Sequence, residues 1–493
     1  MNAILSRLNT VFVQHQRRLY LVGGSVRDQL LSRPSPDIDL ATDATPREVQ
    51  SLVRAIGPDA IYTVGERFGT IGIIVDGRRI EITTFRSEEY QPRSRKPRVR
   101  FGVSLEGDLA RRDFTINAIA QDLSTGQLID PFGGLTDLQE GIIRAVGNPA
   151  ERFAEDPLRL MRAVRFMAEL GFRIEPATRQ AIMEWAAALE QISRERVAEE
   201  MNKILLSPSP GTGVRALVDL GLMAHIIPEM LEMRGMLQEG WHHKDVYEHM
   251  LLTLDNARHY REALLAEEDR LALMWAALLH DIGKPRTRGI IYECRRCGYT
   301  WGGEAPHRSH EPLLCPRCNG AEVERIVHFR WHEQVGAELA RQILSRLRQE
   351  SKFTERVGKL VLLHTRANSY TPDWTDAAVR RFIREAGDEL DLLFALSRAD
   401  ITSQRPARVE AALARVNELE ARCRDLTARE NVKALTSPLN GHELMEMFGR
   451  PPGPWIREVK DYLLMQVIEG NLRTDDKVTA ADMARRFVEE KGI

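Results

Sequence analysis

The stretch "GGSVRDQLLSRPSPDIDL", residues 23–40, decides how the first part of the chain is read. Asp37 and Asp39 stand two apart in a D-I-D-L-A-T run of strand character, and residues i and i+2 of a strand face the same side. Two like charges side by side are costly. A divalent cation between them turns the cost into a hard oxygen site of the Mg²⁺ kind, which holds substrate phosphates through water and one or two carboxylates. Just upstream, Gly23, Gly24 and Ser25 lead into V-R-D-Q-L-L, a helix start whose backbone N–H groups and dipole suit a triphosphate. Arg27 adds a guanidinium fork to the same place. Cation and anion sites are therefore expected to meet at one substrate.

Around this stretch, "RLYLVGG" and "DIDLAT" read as short strands, and "TPREVQSLVRAIG" opens a helix with Thr45, Pro46 and Glu48 as a capping box. "GTIGIIVDGRRIEITTFR" alternates in period two around Asp76-Gly77, a two-residue hairpin turn. These signals confine strands to residues 1–145, a small mixed α/β domain. From 150 onward apolar residues recur at three and four, as in "LRLMRAVRFMAELGF", so the remainder is predicted to be helical and the chain as a whole α+β. Interruptions fall at "SPSPGTG" (207–213), at about 290–325 and at "FGRPPGPW" (448–455).

At 493 residues the chain is long for one domain, and its 43% hydrophobic content is enough to bury real cores. Lys+Arg 69 against Asp+Glu 71 excludes a globally basic nucleic-acid binder, so any contact with a phosphate backbone must come from local patches. "MNAILSRLNTVFVQHQRRLY" reads as an amphipathic helix without the apolar core of a secretory leader. The longest uncharged apolar run, "LALMWAALL" at 271–279, is half of what a membrane crossing needs, so a cytoplasmic protein with no membrane association is expected.

Further residues carry chemistry by type and spacing. Glu81, between Ile80 and Ile82 of the hairpin, offers a third carboxylate able to activate a hydroxyl nucleophile. In "EDPLRLMR", Asp156 and Arg159 lie three apart and, on one helix, project together. A carboxylate only accepts hydrogen bonds and a guanidinium only donates. Such a pair matches the amine-beside-ring-nitrogen edge shared by cytosine and adenine and rejects guanine and uracil. His249, His280, Asp281, His332, His364 and Asp400, which come from several predicted helices, resemble in their order the HD phosphohydrolase superfamily. Imidazoles and carboxylates together suit a transition metal that activates water against a phosphoester. Cys294, Cys297, Cys315 and Cys318 form C-x2-C-x17-C-x2-C, four thiolates for a tetrahedral, structural Zn²⁺ in a ribbon. The ribbon's Arg295, Arg296, Arg308 and Arg317 are open to RNA contact or to plain surface roles, and Cys423 reads as incidental.

With these motifs in place, the chain resembles the class II tRNA nucleotidyltransferases, that is, the CCA-adding enzymes and the related bacterial poly(A) polymerases. The resemblance rests on "LVGGSVRDQLLSRPSPDIDLAT", "EITTFR", "DLARRDFTINAIA", "DPFGGLTDLQEGIIRAVG", "EDPLRLMRAVRF" and "RERVAEEMNKIL". It implies a nucleotidyltransferase head (1–145), a helical neck recognising tRNA and nucleotide (146–215), an HD domain (216–430) with the zinc ribbon inserted at about 290–325, and a C-terminal helical segment (431–493). It further implies addition of CCA, or part of it, to tRNA from CTP and ATP without a nucleic-acid template. Catalysis falls to Asp37, Asp39 and Glu81, with Mg²⁺ on the two aspartates. Nucleotide binding falls to Gly24, Arg27, Arg112, Asp156, Arg159, Arg162 and Arg165.

The HD motif order implies His249, His280, Asp281 and Asp400 as core ligands of a divalent transition metal, with His332 and His364 holding a second ion or the substrate phosphate. Where the family keeps a flexible loop for switching from C to A addition, this chain has "YQPRSRKPRVRF" (90–101), with Gln91 and Pro92 in place of the usual acid. The strand "YTVGERFGTIGIIV" has the F-G-T of the CCA-adding type. A-adding, CC-adding and poly(A)-adding enzymes share most of these motifs, and the alternative of another class is an HD phosphohydrolase with a substrate-binding head. The sequence leaves the oligomeric state open.

Overall fold

A computed structural model describes residues 2–34, 37–89, 98–236, 245–302, 314–430, 432 and 435–493. The chain divides into two compact units, Met1–Leu231 and Glu232–Ile493.

In the first unit the strands are β1 (Leu19–Val22), β2 (Asp37–Thr42), β3 (Ala60–Tyr62), β4 (Thr70–Val75) and β5 (Arg78–Thr84). A separate antiparallel hairpin of β6 (Arg86–Glu89) and β7 (Arg98–Phe101) follows, then β8 (Ala120–Asp122) and β9 (Leu128–Ile129). The main sheet runs β3-β4-β5-β2-β1-β8-β9, with β2 and β5 parallel and the other pairs antiparallel. Asp76 (φ 51°) and Gly77 (φ 71°) make the β4–β5 turn with both central residues left-handed, the backbone twist a two-residue hairpin needs.

Side-chain alternation fixes what each face does. Ile38 and Leu40 of β2, with Ile80 and Ile82 of β5, enter a large core that also holds Leu8 and Phe12 of the N-terminal helix Asn2–Gln14. Ala41 enters a smaller core on the opposite face with Tyr20, Phe85 and Leu109. Asp37 and Asp39 share the side of Ala41, because a strand repeats every two residues.

The rest of the unit is helical apart from a two-residue parallel pair, β10 (Ile142–Ile143) with β11 (Arg173–Ile174). The helix Leu158–Leu170 packs on Arg194–Leu206 and Pro210–Asp219. The interruption expected over 207–213 is shorter in the structure, because Pro210 serves as a first helical residue and the helix takes in Gly211 to Gly213. At Gly213 a Cβ would stand 2.6 Å from Ile204 Cγ2, so the glycine permits close packing of two helices there. A domain edge at 215 would cut this helix in the middle.

The second unit is built from helices Val246–Arg261, Glu267–Leu279, His332–Arg346, Ser351–Asn368 and Leu390–Asp400. Residues 272–279 of the second helix are buried on every side, Trp275 fully, which accounts for the unbroken apolar run there. Between Thr287 and His332 the helices give way to a three-stranded sheet, β12 (Gly289–Cys294), β13 (Thr300–Gly302) and β14 (Val323–His328), in the order β13-β12-β14. Cys423 lies buried in the long helix Pro406–Glu430, where burial pushes its thiol up to about 12. Three C-terminal helices, Gly441–Phe448, Pro454–Glu469 and Lys477–Lys491, close a small core around Leu444, Leu463 and Ala484. Among the described residues no helix is long and apolar enough to cross a membrane.

Candidate nucleotide and metal sites

In the first unit one cavity of about 860 Å³ takes in Gly23, Gly24, Arg27, Asp37, Asp39, Glu81, Arg112, Asp156, Arg159, Arg162 and Arg165. Parallel register sets Asp39 directly beside Glu81, and Asp37 beside Arg79. Burial raises the pKa of Asp39, opposed by Arg112 and reinforced by the neighbouring Glu81 and Asp37 charges. Ser25 ties the glycine turn to this strand: the Asp39 N–H donates to Ser25 Oγ at 2.9 Å, and the Ser25 hydroxyl donates to the Asp37 carbonyl at 3.3 Å. Gly23 has φ 67°, and a Cβ there would stand 2.6 Å from Arg112 Nη1. The turn needs glycine both for its conformation and for the guanidinium packed on it.

Arginines crowd the far wall. The ring of Phe166 carries three guanidinium groups, Arg165 at 4.1 Å, Arg27 at 5.0 Å and Arg162 at 5.5 Å from its centroid. Their spacing is set by acceptors that motif reading passed over. Asp113 accepts from Arg162 Nε at 2.7 Å and from Asn117 Nδ2 at 3.0 Å, and Asn117 Oδ1 in turn accepts from Arg27 Nη1 at 2.8 Å. Both residues lie inside "RRDFTINA", a stretch dense in polar groups between apolar ones, and that was the available signal.

Asp156 and Arg159 are both in the cavity wall but not on one helix. A helix ends at Glu155, Asp156 is extended (φ −145°, ψ 99°), and the next helix begins at Leu158. Pro157 is the cause, since a proline disfavours helical geometry in the residue before it. Asp156 instead accepts the Leu158 N–H at 3.1 Å and pairs with Arg196 Nη2 at 2.8 Å. Arg159 is buried and donates to the Arg152 and Arg111 carbonyls and to Glu155. The expected i, i+3 projection is thereby replaced by an Asp156–Arg196 pair, with Arg196 supplied by "RERVAEEMNKIL".

In the second unit the six residues read as an HD centre converge. His249 Nε2 lies 2.9 Å from Asp400 Oδ1, 3.2 Å from His280 Nε2 and 3.4 Å from Asp281 Oδ2. The other oxygen of Asp281 faces His332 Nε2 at 3.6 Å and His364 Nε2 at 3.8 Å. One carboxylate thus bridges two groups that could each hold a metal ion. His280, His332 and His364 each place Nδ1 against a backbone carbonyl, of Ala277, Phe329 and Val361. In the neutral ring an Nδ1–H donated there leaves Nε2 with its lone pair turned inward, the tautomer a metal requires.

Burial opposes charge on His280, but Asp281 and Asp400 outweigh it and raise the ring to about 10. His364 is lowered to about 4 by burial and by the His280 cation. The four ribbon cysteines also close on one point, with Cys294 and Cys318 Sγ 3.5 Å apart and Cys297 and Cys315 Sγ 3.6 Å apart. Four thiolates around a tetrahedral Zn²⁺ with Zn–S near 2.3 Å would stand about 3.8 Å apart, so the set fits.

Residues 19–144 match the family model for the poly A polymerase head domain, 171–233 that for the probable RNA and SrmB-binding site of polymerase A, and 246–404 the HD domain. The CCA-adding enzyme of Geobacillus stearothermophilus is 31% identical over 481 residues, spanning 97% of this chain and 96% of the relative. The chain belongs to the tRNA nucleotidyltransferase family. The A-adding tRNA nucleotidyltransferase of Deinococcus radiodurans is 33% identical over 95% of both chains. Among solved structures, the Bacillus stearothermophilus CCA-adding enzyme in complex with CTP aligns with a TM-score of 0.66 at 28% identity, covering 99% of this chain and 98% of that one. Within this nucleotidyltransferase the head model covers Asp37, Asp39 and Glu81, and the HD model covers all six HD-centre residues and the cysteine cluster. Residues 90–97 of the arginine-rich loop, with Gln91 and Pro92, and Arg308 of the ribbon lie outside the described residues.

Proposed function

We propose that this nucleotidyltransferase adds the nucleotides of CCA, or part of that sequence, to tRNA 3' ends from CTP and ATP without a nucleic-acid template. The reading is carried by one observation: the Asp37, Asp39 and Glu81 carboxylates, the Gly23–Gly24 helix start and the Phe166 arginines line a single cavity. Two aspartates and a glutamate on one face of adjacent strands, with burial already disfavouring charge on Asp39, form a donor set that suits Mg²⁺. Asp37 and Asp39 would hold it. When bound, Mg²⁺ neutralises phosphate charge and stabilises the charge that develops on transfer.

The chain's own groups do the rest. The N–H groups at Gly24 and the forks of Arg27, Arg162 and Arg165 bind and orient the triphosphate. Glu81 takes the proton of the tRNA 3'-hydroxyl as its oxygen bonds to the α-phosphorus, and the bond to the β-phosphate oxygen breaks to release pyrophosphate. Arg112 steadies the bound nucleotide. Asp156, beside Arg159 and Arg196, offers the acceptor for the exocyclic amine that cytosine and adenine share. His249, His280, Asp281 and Asp400 suit a transition metal, with His332 and His364 around a second position sharing Asp281, and the four cysteines suit a structural Zn²⁺. Substrates of this kind put the reaction in the cytoplasm.

The A-adding relative, 33% identical, supplies one narrower alternative, addition of the terminal A alone. Incubating the protein with tRNA lacking CCA, tRNA ending in CC, and each labelled nucleoside triphosphate separates the two. Asp37→Ala should lower incorporation by about 10²- to 10³-fold. Undiminished incorporation by Asp37→Ala, or none by the wild type on any of these RNAs, would refute the proposal.

A further inference from the structure

The inserted sheet has two chemically different faces. Register sets Tyr292 between Trp301 and Arg325 in one row across the three strands. Ring centroids of Tyr292 and Trp301 are 5.7 Å apart at 27°, and those of Tyr299 and Trp301 5.9 Å apart at 19°, so three aromatic rings share one face. Arg317 lies 6.0 Å from the centroid of Tyr299. Glu293 and Glu324, one residue out of phase, project from the other face, where Glu324 also holds Arg295 at 3.2 Å. Among the described strand residues the aromatic face therefore carries one cation, Arg325, and no carboxylate, although the insertion as a whole is not strongly basic. The ladder runs outward from Tyr292, which is buried, to Tyr299, which is 38% exposed beside the exposed Arg317.

The cysteine cluster sets this edge. Tyr299 follows the Cys294–Cys297 knuckle by two residues, and Arg317 sits within the other, its N–H donating to Cys315 Sγ at 3.4 Å. The insertion's stems end at the HD centre. Lys284, before β12, pairs with Asp281 at 2.7 Å and lies over the ring of Phe329, while His332 follows β14 and faces the same aspartate.

Flat rings in a row with guanidinium groups beside them are what unpaired bases and their phosphates recognise, by stacking and by charge. We infer that the zinc-ordered ribbon binds an unpaired RNA strand on its Tyr299–Trp301–Arg317 edge, as a second RNA-binding surface joined to the HD centre. The inference rests on the RNA-processing reading for its choice of polyanion.

The test is photo-crosslinking of the full-length wild type to an unstructured RNA decamer containing 4-thiouridine, with anisotropy titration of the same RNA against Tyr299→Ala, Arg317→Ala and Cys297→Ser. Adducts should map to residues 292–318. Tyr299→Ala and Arg317→Ala should each weaken binding by about tenfold while keeping bound zinc, as loss of a stacking or cation contact requires. Cys297→Ser should lose zinc and RNA affinity together. Adducts confined to other parts of the chain, or wild-type affinity in both Tyr299→Ala and Arg317→Ala, would overturn the inference and leave this face to a protein partner. Incorporation of CTP and ATP by the same wild-type preparation tests the tRNA reading separately. Missing ribbon adducts with intact incorporation therefore defeat this inference alone.

Discussion

Asp113→Ala removes the hub on which the arginines of the cavity wall are set. The carboxylate is 7% exposed and accepts from Arg162 Nε at 2.7 Å, from Arg162 Nη2 at 2.6 Å, from Asn117 Nδ2 at 3.0 Å and from the Phe114 N–H at 2.8 Å. Breaking a fully buried pair by deleting one partner costs about 3–5 kcal/mol. The Arg162 side chain is 34% exposed and keeps some solvation after the loss, so a penalty of about 2–3 kcal/mol is expected here. Amide exchange of the helix Leu158–Leu170, followed by mass spectrometry, should then speed up by about 30- to 150-fold in the variant. KM for CTP and ATP should rise as well, because Arg162 and, through Asn117, Arg27 lose their setting.

The pH dependence carries a sign. Burial pushes the Asp113 carboxyl up, but Arg162, Asn117 and Arg159 outweigh it and hold its pKa well below the usual carboxylate range. A lowered folded-state pKa means that the stabilisation is fully present above the unfolded value of about 3.9 and is lost as pH falls through the folded one. The gap between wild type and variant should be flat from about pH 8 to 5 and narrow only below about 4. Exchange rates within about threefold of wild type at neutral pH would show that the network does not hold the helix.

Gly23→Ala should cost about 1–2 kcal/mol from its left-handed backbone, and displace Arg112 besides, which a lower melting temperature and weaker nucleotide binding would report. Arg196→Ala should change stability by under about 1 kcal/mol, since the Asp156–Arg196 pair is partly exposed, yet raise KM for CTP and ATP by freeing Asp156. In the metal-free protein His280 keeps its proton up to about 10, so its contribution to stability is present below the ordinary histidine range and fades as pH rises through about 10. A transition metal added at pH 7 should therefore expel about one proton from His280, read by calorimetry in buffers of different ionisation enthalpy; binding without proton release would contradict this.

Local rules made much of this chain legible in advance. The D-x-D pair follows from strand period alone, the capping box at Thr45 forms as its three residues dictate, and Asp76-Gly77 makes the left-handed turn its composition favours. Cysteine spacing likewise announced a cluster, because ligands three positions apart in a knuckle have few ways to point. Each of these is decided within a handful of bonds.

The Asp156 region is different. Pattern reading saw an unbroken helical period, but Pro157 divides it, and the partner of Asp156 comes from Arg196, a helix distant in sequence. Asp113 and Asn117 matter only because folding delivers Arg162 and Arg27 to them from two other elements. The bridging place of Asp281 between His249–His280 and His332–His364, and the opposite faces of the ribbon sheet, are likewise products of packing and register. Sequence by itself settled the strands and turns of the head and the chemistries the motifs carry, since backbone preference and side-chain period act locally; the strands beyond residue 145 and the break at Pro157 fell outside that reading. Only the tertiary structure decided which charges meet, because a buried ion pair is formed by long-range packing that no short window of residues contains.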